Sequence, residues 1–112
     1  MIEGWAVYTE QMMIDNGWDN YSGEIQMMQD KWKLRELANV IIDYDIQCLN
    51  KQKEDIEKLL VKECFQTMAQ AEEKYHRATV SQVQLCSYYS GFISIQSLRD
   101  EYQKKMGSKY NL

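Results

Sequence analysis

The stretch Glu24–Leu49, EIQMMQDKWKLRELANVIIDYDIQCL, decides the fold. Within it Leu34, Leu37, Ala38, Ile41, Tyr44 and Cys48 recur at three- and four-residue steps, which puts them on one face of a helix. Val40, Ile42, Ile46 and Leu49 widen that stripe, so the helix is expected to be covered on more than one side. The β-branched run Val40-Ile41-Ile42, taken alone, would suit a strand. The longer periodicity outweighs it, and Asn50 and Lys51 suit the helix end.

Outward from this helix the chain contains no proline, and its five glycines fall mainly at joints. A first helix is predicted from Ile2 to Asp15, stopping at Asn16-Gly17, with a loop over Trp18–Gly23. Lys53–Lys62 reads as a short amphipathic helix with Ile56, Leu59 and Leu60 inward, and the register changes around Cys64-Phe65-Gln66. Thr67-x-x-Gln70 fits a capping box, in which hydroxyl and amide each satisfy a free backbone donor. The helix it starts carries Met68, Ala69, Ala71 and Glu72 toward Tyr75. A second box, Thr79-x-x-Gln82, is read as the start of a last helix reaching about Met106, with Lys104 and Lys105 at its negative end and Gly107 as its cap. The expected fold is all-α, a small bundle of four or five helices in one domain.

At 112 residues the chain can bury only a modest core. A net charge of -4, with acids and bases interspersed, offers no basic stripe for nucleic acid. No apolar run approaches the length of a membrane span, and the opening lacks the basic-then-apolar layout of a secretory leader. A leader on a longer parent would lie outside this sequence. Cys48, Cys64 and Cys86 are odd in number and have neither zinc-ribbon nor redox spacing, so they read as reduced thiols acting as small hydrophobes.

The chemistry is concentrated in the opening, Met1-Ile2-Glu3-Gly4-Trp5-Ala6-Val7-Tyr8-Thr9-Glu10. Glu3 and Glu10 are two helical turns apart, so their carboxylates point the same way. Carboxylates aimed together from a helix that apolar residues can bury need a metal ion or a hydrogen-bonded partner. Gly4 inside a helix costs about 1 kcal/mol relative to Ala, which implies that something must approach the backbone there, such as a metal-binding helix outside this chain.

This Glu-Gly-Trp-Ala-x-x-x-Glu pattern resembles the helix that gives gluzincin metallopeptidases their third zinc ligand. Two further blocks follow in order: the helix Trp32–Gln47 with Leu34-Arg35 and Val40-Ile41-Ile42-Asp43, then Lys74-Tyr75 followed by Gln84-Leu85-Cys86-Ser87-Tyr88-Tyr89-Ser90-Gly91. Together they resemble the bacterial DUF885 family of zincin-like helical proteins over essentially the whole chain. The resemblance implies a parent that hydrolyses a peptide or related amide with zinc-bound water. It implies Glu3 as third zinc ligand in that parent and Glu10 as acceptor of a hydrogen bond from a ligating histidine. Tyr88 would stabilise the oxyanion, Gln84 would contact a substrate backbone, and Gly91 would leave room for a crossing helix. The His-Glu-x-x-His helix is missing here, and the chain has one histidine, His76. This sequence is therefore expected to be the C-terminal part of a larger domain, inactive alone and holding no cofactor itself. It departs from the family at Gln47, where members commonly have His, and at Lys74, where they have Arg; the proline of the last element is absent.

Each candidate has a plainer reading. Glu3 would be a first-turn glutamate favoured by the helix dipole, Glu10 a partly exposed helix residue, and Tyr88 a buried aromatic. Trp5, Tyr8 and Tyr75 would be core, and His76 a solvated residue near a helix end. The competing function is a non-enzymatic helical interaction or structural module, which the residues encoded before Met1 would distinguish from the enzyme fragment. Two further expectations follow from the fragment reading. Glu3 and Tyr88 should face the same side, and the chain should form a homo-oligomer through its first helix, where Trp5, Ala6, Tyr8, Met12 and Met13 spread apolar surface.

Overall fold

The computed structural model describes residues 2–110. Five helices run α1 (Ile2–Asp15), α2 (Gly23–Gln47), α3 (Lys53–Lys62), α4 (Met68–Val80) and α5 (Cys86–Met106), and no strand occurs among the described residues. The all-α expectation holds. The β-branched run Val40-Ile41-Ile42 is helical because it sits inside a continuous apolar-polar period rather than between turns.

α2 is the central helix and touches each of the others, while α1 pairs with α5 and α3 with α4. The core of Ala38, Ile42, Ile56, Leu60, Cys64, Ala71, Ala78 and Leu85 lies among α2, α3, α4 and the turn before α5. The molecule is elongated, 51 × 30 × 19 Å with a radius of gyration of 16.4 Å. A compact domain of this length would have about 13 Å. No helix among the described residues is long and apolar enough to cross a membrane.

The buried side of α2 matches the predicted stripe only in part: Ala38 and Ile42 are buried, and Leu34 and Ile46 pack on the core. Leu37, Ile41 and Tyr44 of the expected stripe are exposed, as is Cys48, while Gln29, Ala38, Asn39, Ile42 and Asp43 are buried. The inward face carries a polar row, Gln29, Glu36, Asn39 and Asp43, at steps of seven, three and four residues, beside Ala38 and Ile42. Apolar periodicity alone centres on Leu37, Ile41 and Tyr44, which are exposed, and shares only its edge residues Leu34 and Ala38 with the buried face.

The turn between α1 and α2 coils left-handedly at Asp19 and Asn20, with φ of 57° and 54°, residue types that tolerate this conformation best after glycine. Ser22 then caps α2, its hydroxyl accepting from Ile25 N at 3.3 Å and donating to Asp19 Oδ2 at 2.8 Å. The capping box at the start of α4 is present: Gln70 N donates to Thr67 Oγ1 at 3.3 Å, and Thr67 N to Gln70 Oε1 at 3.1 Å. On this helix Ala71 and Ala78 are buried and Met68 is exposed.

The second capping box does not form. Thr79 stays inside α4, donating its hydroxyl hydrogen to His76 O at 2.7 Å. α5 begins later, at Cys86, and its cap comes from another helix. Asp43 of α2 accepts from Cys86 N at 3.4 Å and from Cys86 Sγ at 3.1 Å. A carboxylate here complements the positive end of α5. Burial and this carboxylate together push the Cys86 thiol up to about 11. At its other end α5 stops at Gly107, φ 52°, as predicted.

Gly4 and Gly91, both inside helices, meet where α1 crosses α5. A Cβ on Gly4 would lie 2.3 Å from Gly91 Cα, so the two backbones are in direct contact. The element that approaches Gly4 within this chain is thus α5.

Candidate functional site

A cavity of about 480 Å³ opens between α1, the turn that follows it, α2 and the first turn of α5. From α1 come Ala6, Val7, Glu10, Met13 and Ile14, one face at helical spacing. Trp18 closes the turn side, α2 adds Met28, Gln29, Trp32 and Glu36, and α5 adds Tyr88. The wall is mainly apolar and aromatic, and its polar side chains are Glu10, Gln29, Glu36 and Tyr88. Gln29 is held by donating from Nε2 to Gln11 Oε1 at 3.3 Å.

Glu36 is the electrostatic centre. Its burial pushes the carboxyl above its usual range, Lys74 and the Asn39 side chain pull the other way, and the carboxylates of Glu10 and Glu3 push it further up. Its Oε2 is enclosed and has no hydrogen-bond partner. Lys74 reaches this region from α4 and donates to Asn39 Oδ1 at 2.7 Å. Burial lowers the Lys74 ammonium below its ordinary value, opposed by Glu36 and reinforced by Arg35 and Arg77. Glu10 and Glu36 both line the cavity, and Glu3 does not.

Tyr88 is oriented from behind. Arg77 Nη2 donates to the Tyr88 hydroxyl oxygen at 3.4 Å and to Gln84 Oε1 at 3.2 Å. With a lone pair occupied by Arg77, the phenolic hydrogen is left to donate elsewhere. Gln84 lies in the turn before α5 rather than one turn earlier on that helix, and Arg77 is what links it to Tyr88.

Of the residues singled out in sequence, Glu10 and Tyr88 line the cavity, and Glu3 acts on it only through its charge at Glu36. Tyr8 is buried, with the Arg99 guanidinium 5.9 Å from its ring centre, whereas Trp5 is 56% exposed and not core. Tyr75 packs on the core and His76 is exposed, as expected. Gln47, standing where the family has histidine, donates to Ala78 O at 2.8 Å. It lies about three turns beyond Glu36 along α2, so its substitution leaves the cavity wall intact. Glu36, Asn39, Trp18 and Trp32 were not singled out as site residues, and Lys74 was noted only as a departure from the family's Arg. The polar row on α2 was the available signal for the first two.

Zinc does not fit the donors of this chain alone. Among the described residues no three His, Cys, Asp or Glu side chains are grouped to hold a metal ion, and His76 adjoins Tyr75 and Glu72 on α4. Glu3 would need imidazoles supplied from elsewhere.

Comparison with curated proteins finds no match. A solved structure does match: that of a "putative lipoprotein of unknown function" from Shewanella oneidensis, 46% identical, with a TM-score of 0.94. The match covers 100% of this chain and 20% of the Shewanella chain, so the sequence spans about one fifth of that relative. The family model described as bacterial protein of unknown function (DUF885) matches residues 1–112, and the chain belongs to that family.

Proposed function

We propose that this chain is part of a zinc-dependent peptidase- or amidase-like protein, to which it contributes a third metal ligand, Glu3, and an oxyanion donor, Tyr88. By itself it is inactive. The observation that carries the reading is that Glu10 and Tyr88, from two separate motifs, line one cavity whose central carboxyl also feels Glu3. Zinc would supply an activated water in the intact protein, and the imidazoles that hold it would come from outside these residues.

The chain's own groups have definite tasks. Tyr88 donates its phenolic hydrogen to the oxygen that becomes negative as a carbonyl is attacked, and Arg77 behind it stabilises the electron-rich phenol. Glu10 accepts a hydrogen bond from an incoming imidazole and fixes its orientation. The apolar wall excludes water, which strengthens both interactions. The elongated shape and the half-exposed Trp18, Met28 and Trp32 support a further body of protein against this face.

The test is a chimera in which this chain replaces the matching fifth of the Shewanella protein, assayed against a mixed peptide library. The chimera should hydrolyse peptide bonds, and Tyr88→Phe should lower kcat by about 10²–10³ with KM little changed. Absence of hydrolysis by both the chimera and the natural Shewanella protein would contradict the reading.

A further inference from the structure

We infer that α1 and α5 move as one rigid pair against the body formed by α2, α3 and α4, opening and closing the cavity about two hinges, residues 17–20 and 81–83. The inference rests on packing alone and holds whether or not the intact protein binds zinc.

The pair and the body are held together by different surfaces. The core cluster belongs to α2, α3, α4 and the turns beside them, and α5 has no fully buried residue. α1 instead gives its buried Gly4 and Tyr8 to α5, Gly4 against the Gly91 backbone and the Tyr8 ring beside the Arg99 guanidinium. Two backbones in contact leave no slack, so α1 and α5 travel together. Where the pair meets the body, the α2 side is half polar. Gln29 donates to Gln11 at 3.3 Å, Glu36 borders the cavity, and Asp43 accepts from Cys86 N at 3.4 Å. A polar interface interrupted by about 480 Å³ of cavity resembles one between domains, where relative motion is the default.

The two connections supply the axis. One leaves α1 through Gly17, Asp19 and Asn20, with φ of 88°, 57° and 54°. The other leaves α4 through Ser81 and Val83, φ 68°, and reaches α5 past buried Leu85. A β-branched residue is strained in that conformation, and Val83 is 68% exposed, so packing of its own side chain does not compensate. Asn50 and Phe65 share the left-handed φ, but the helices that they join both bury side chains in the one core. At the two hinges one of the joined helices, α1 or α5, contributes nothing to that core. The first hinge leads into Gly23, and the second adjoins Cys86, which Asp43 holds. Gly23 and Asp43 are about 30 Å apart along α2 at 1.5 Å per residue. Two such points define one line of rotation, and turning about it widens the gap between α1 and Gln29, Trp32 and Glu36.

Spin-label distances in the 112-residue chain test this, in a Cys48→Ser background. Cys64 is buried and the Cys86 thiol is pushed up to about 11, so both react slowly near neutral pH and added cysteines take the label. Labels at exposed Ser97 of α5 and Lys58 of α3 span the hinges and should give two distance populations. Asp30 with Glu73, inside the body, and Asp15 with Ser97, inside the pair, should each give one narrow distance. Gly17→Ala disfavours φ 88° and should raise the open population at least threefold. Val83→Gly accepts φ 68° without strain and should lower it at least threefold, with helical circular dichroism retained. Should Gly17→Ala fail to fold, Val83→Gly carries the test. One narrow Ser97–Lys58 distance, or populations that Val83→Gly does not move, would overturn the hinges. Two distances between Asp15 and Ser97 would overturn the rigid pair.

Discussion

Gly4 of α1 and Gly91 of α5 cross with their backbones in contact, and a Cβ on Gly4 would sit 2.3 Å from both Gly91 Cα and its carbonyl carbon. Gly4 adjoins Glu3 and Gly91 lies one turn beyond Tyr88 on α5, so the crossing fixes the spacing of the two helices that carry the motifs. No flexible side-chain end is there to yield. Gly4→Ala should therefore push α1 off α5 and destabilise the fold by about 1–3 kcal/mol or more, with loss of the cavity. Gly23→Ala is the control: nothing lies within 4 Å of its Cβ position, and alanine at the start of α2 should be neutral or stabilising. Denaturant melts of the two variants check this; equal stability would remove the crossing from the account.

Glu36 should make stability depend on pH. Its folded carboxyl titrates above the ordinary glutamate value of 4.5, chiefly because of burial, with Lys74 opposing and Glu10 and Glu3 adding. The folded state thus favours the protonated form. That contribution is complete below about pH 4.5 and is lost as pH rises through the raised folded value. Glu36→Gln should flatten the stability profile in that window, read from urea midpoints at a series of pH values. A profile identical to that of the parent chain would contradict the burial of this carboxyl.

The helices were legible because their signals are local. Glycine stops, the Thr67 capping box and the apolar spacing of Ile56 and Leu60 act within a turn or two of themselves. What failed was tertiary. The start of α5 is set by Asp43, far away in sequence, so the local box at Thr79 lost to a cap supplied by α2. The buried side of α2 was read only in part, through Leu34, Ala38, Ile42 and Ile46, because its inward face is half polar and Leu37, Ile41 and Tyr44 follow the same helical period away from it. In the site, Glu10 and Tyr88 were recognised through motifs and Lys74 as a departure from one, while Glu36 and its relation to Lys74 emerged only when α2 and α4 were brought against each other.

We propose that the chain self-associates through α1. Trp5 is 56% and Met13 48% exposed, and Met13 shares the cavity rim with half-exposed Trp18, Met28 and Trp32. Tyr8, buried against α5, is not part of this surface. Large apolar patches seldom stay open to water, and a symmetric dimer is the simplest closed arrangement. Light scattering at micromolar concentration should report more than a monomer, and Trp5→Glu should reduce it. A monomer in both cases would rule the interface out.

The central claim is that Glu3 is a metal ligand in the intact protein, and zinc affinity of the Shewanella chimera tests it most directly. Equilibrium dialysis should find one zinc per chimera. Glu3→Gln should weaken binding by well over tenfold, since a ligand must cost at least what its supporting residues do. Glu24→Gln, in the first turn of α2, should change nothing. Stoichiometric zinc that is indifferent to Glu3→Gln, or a chimera that binds none, would contradict the account.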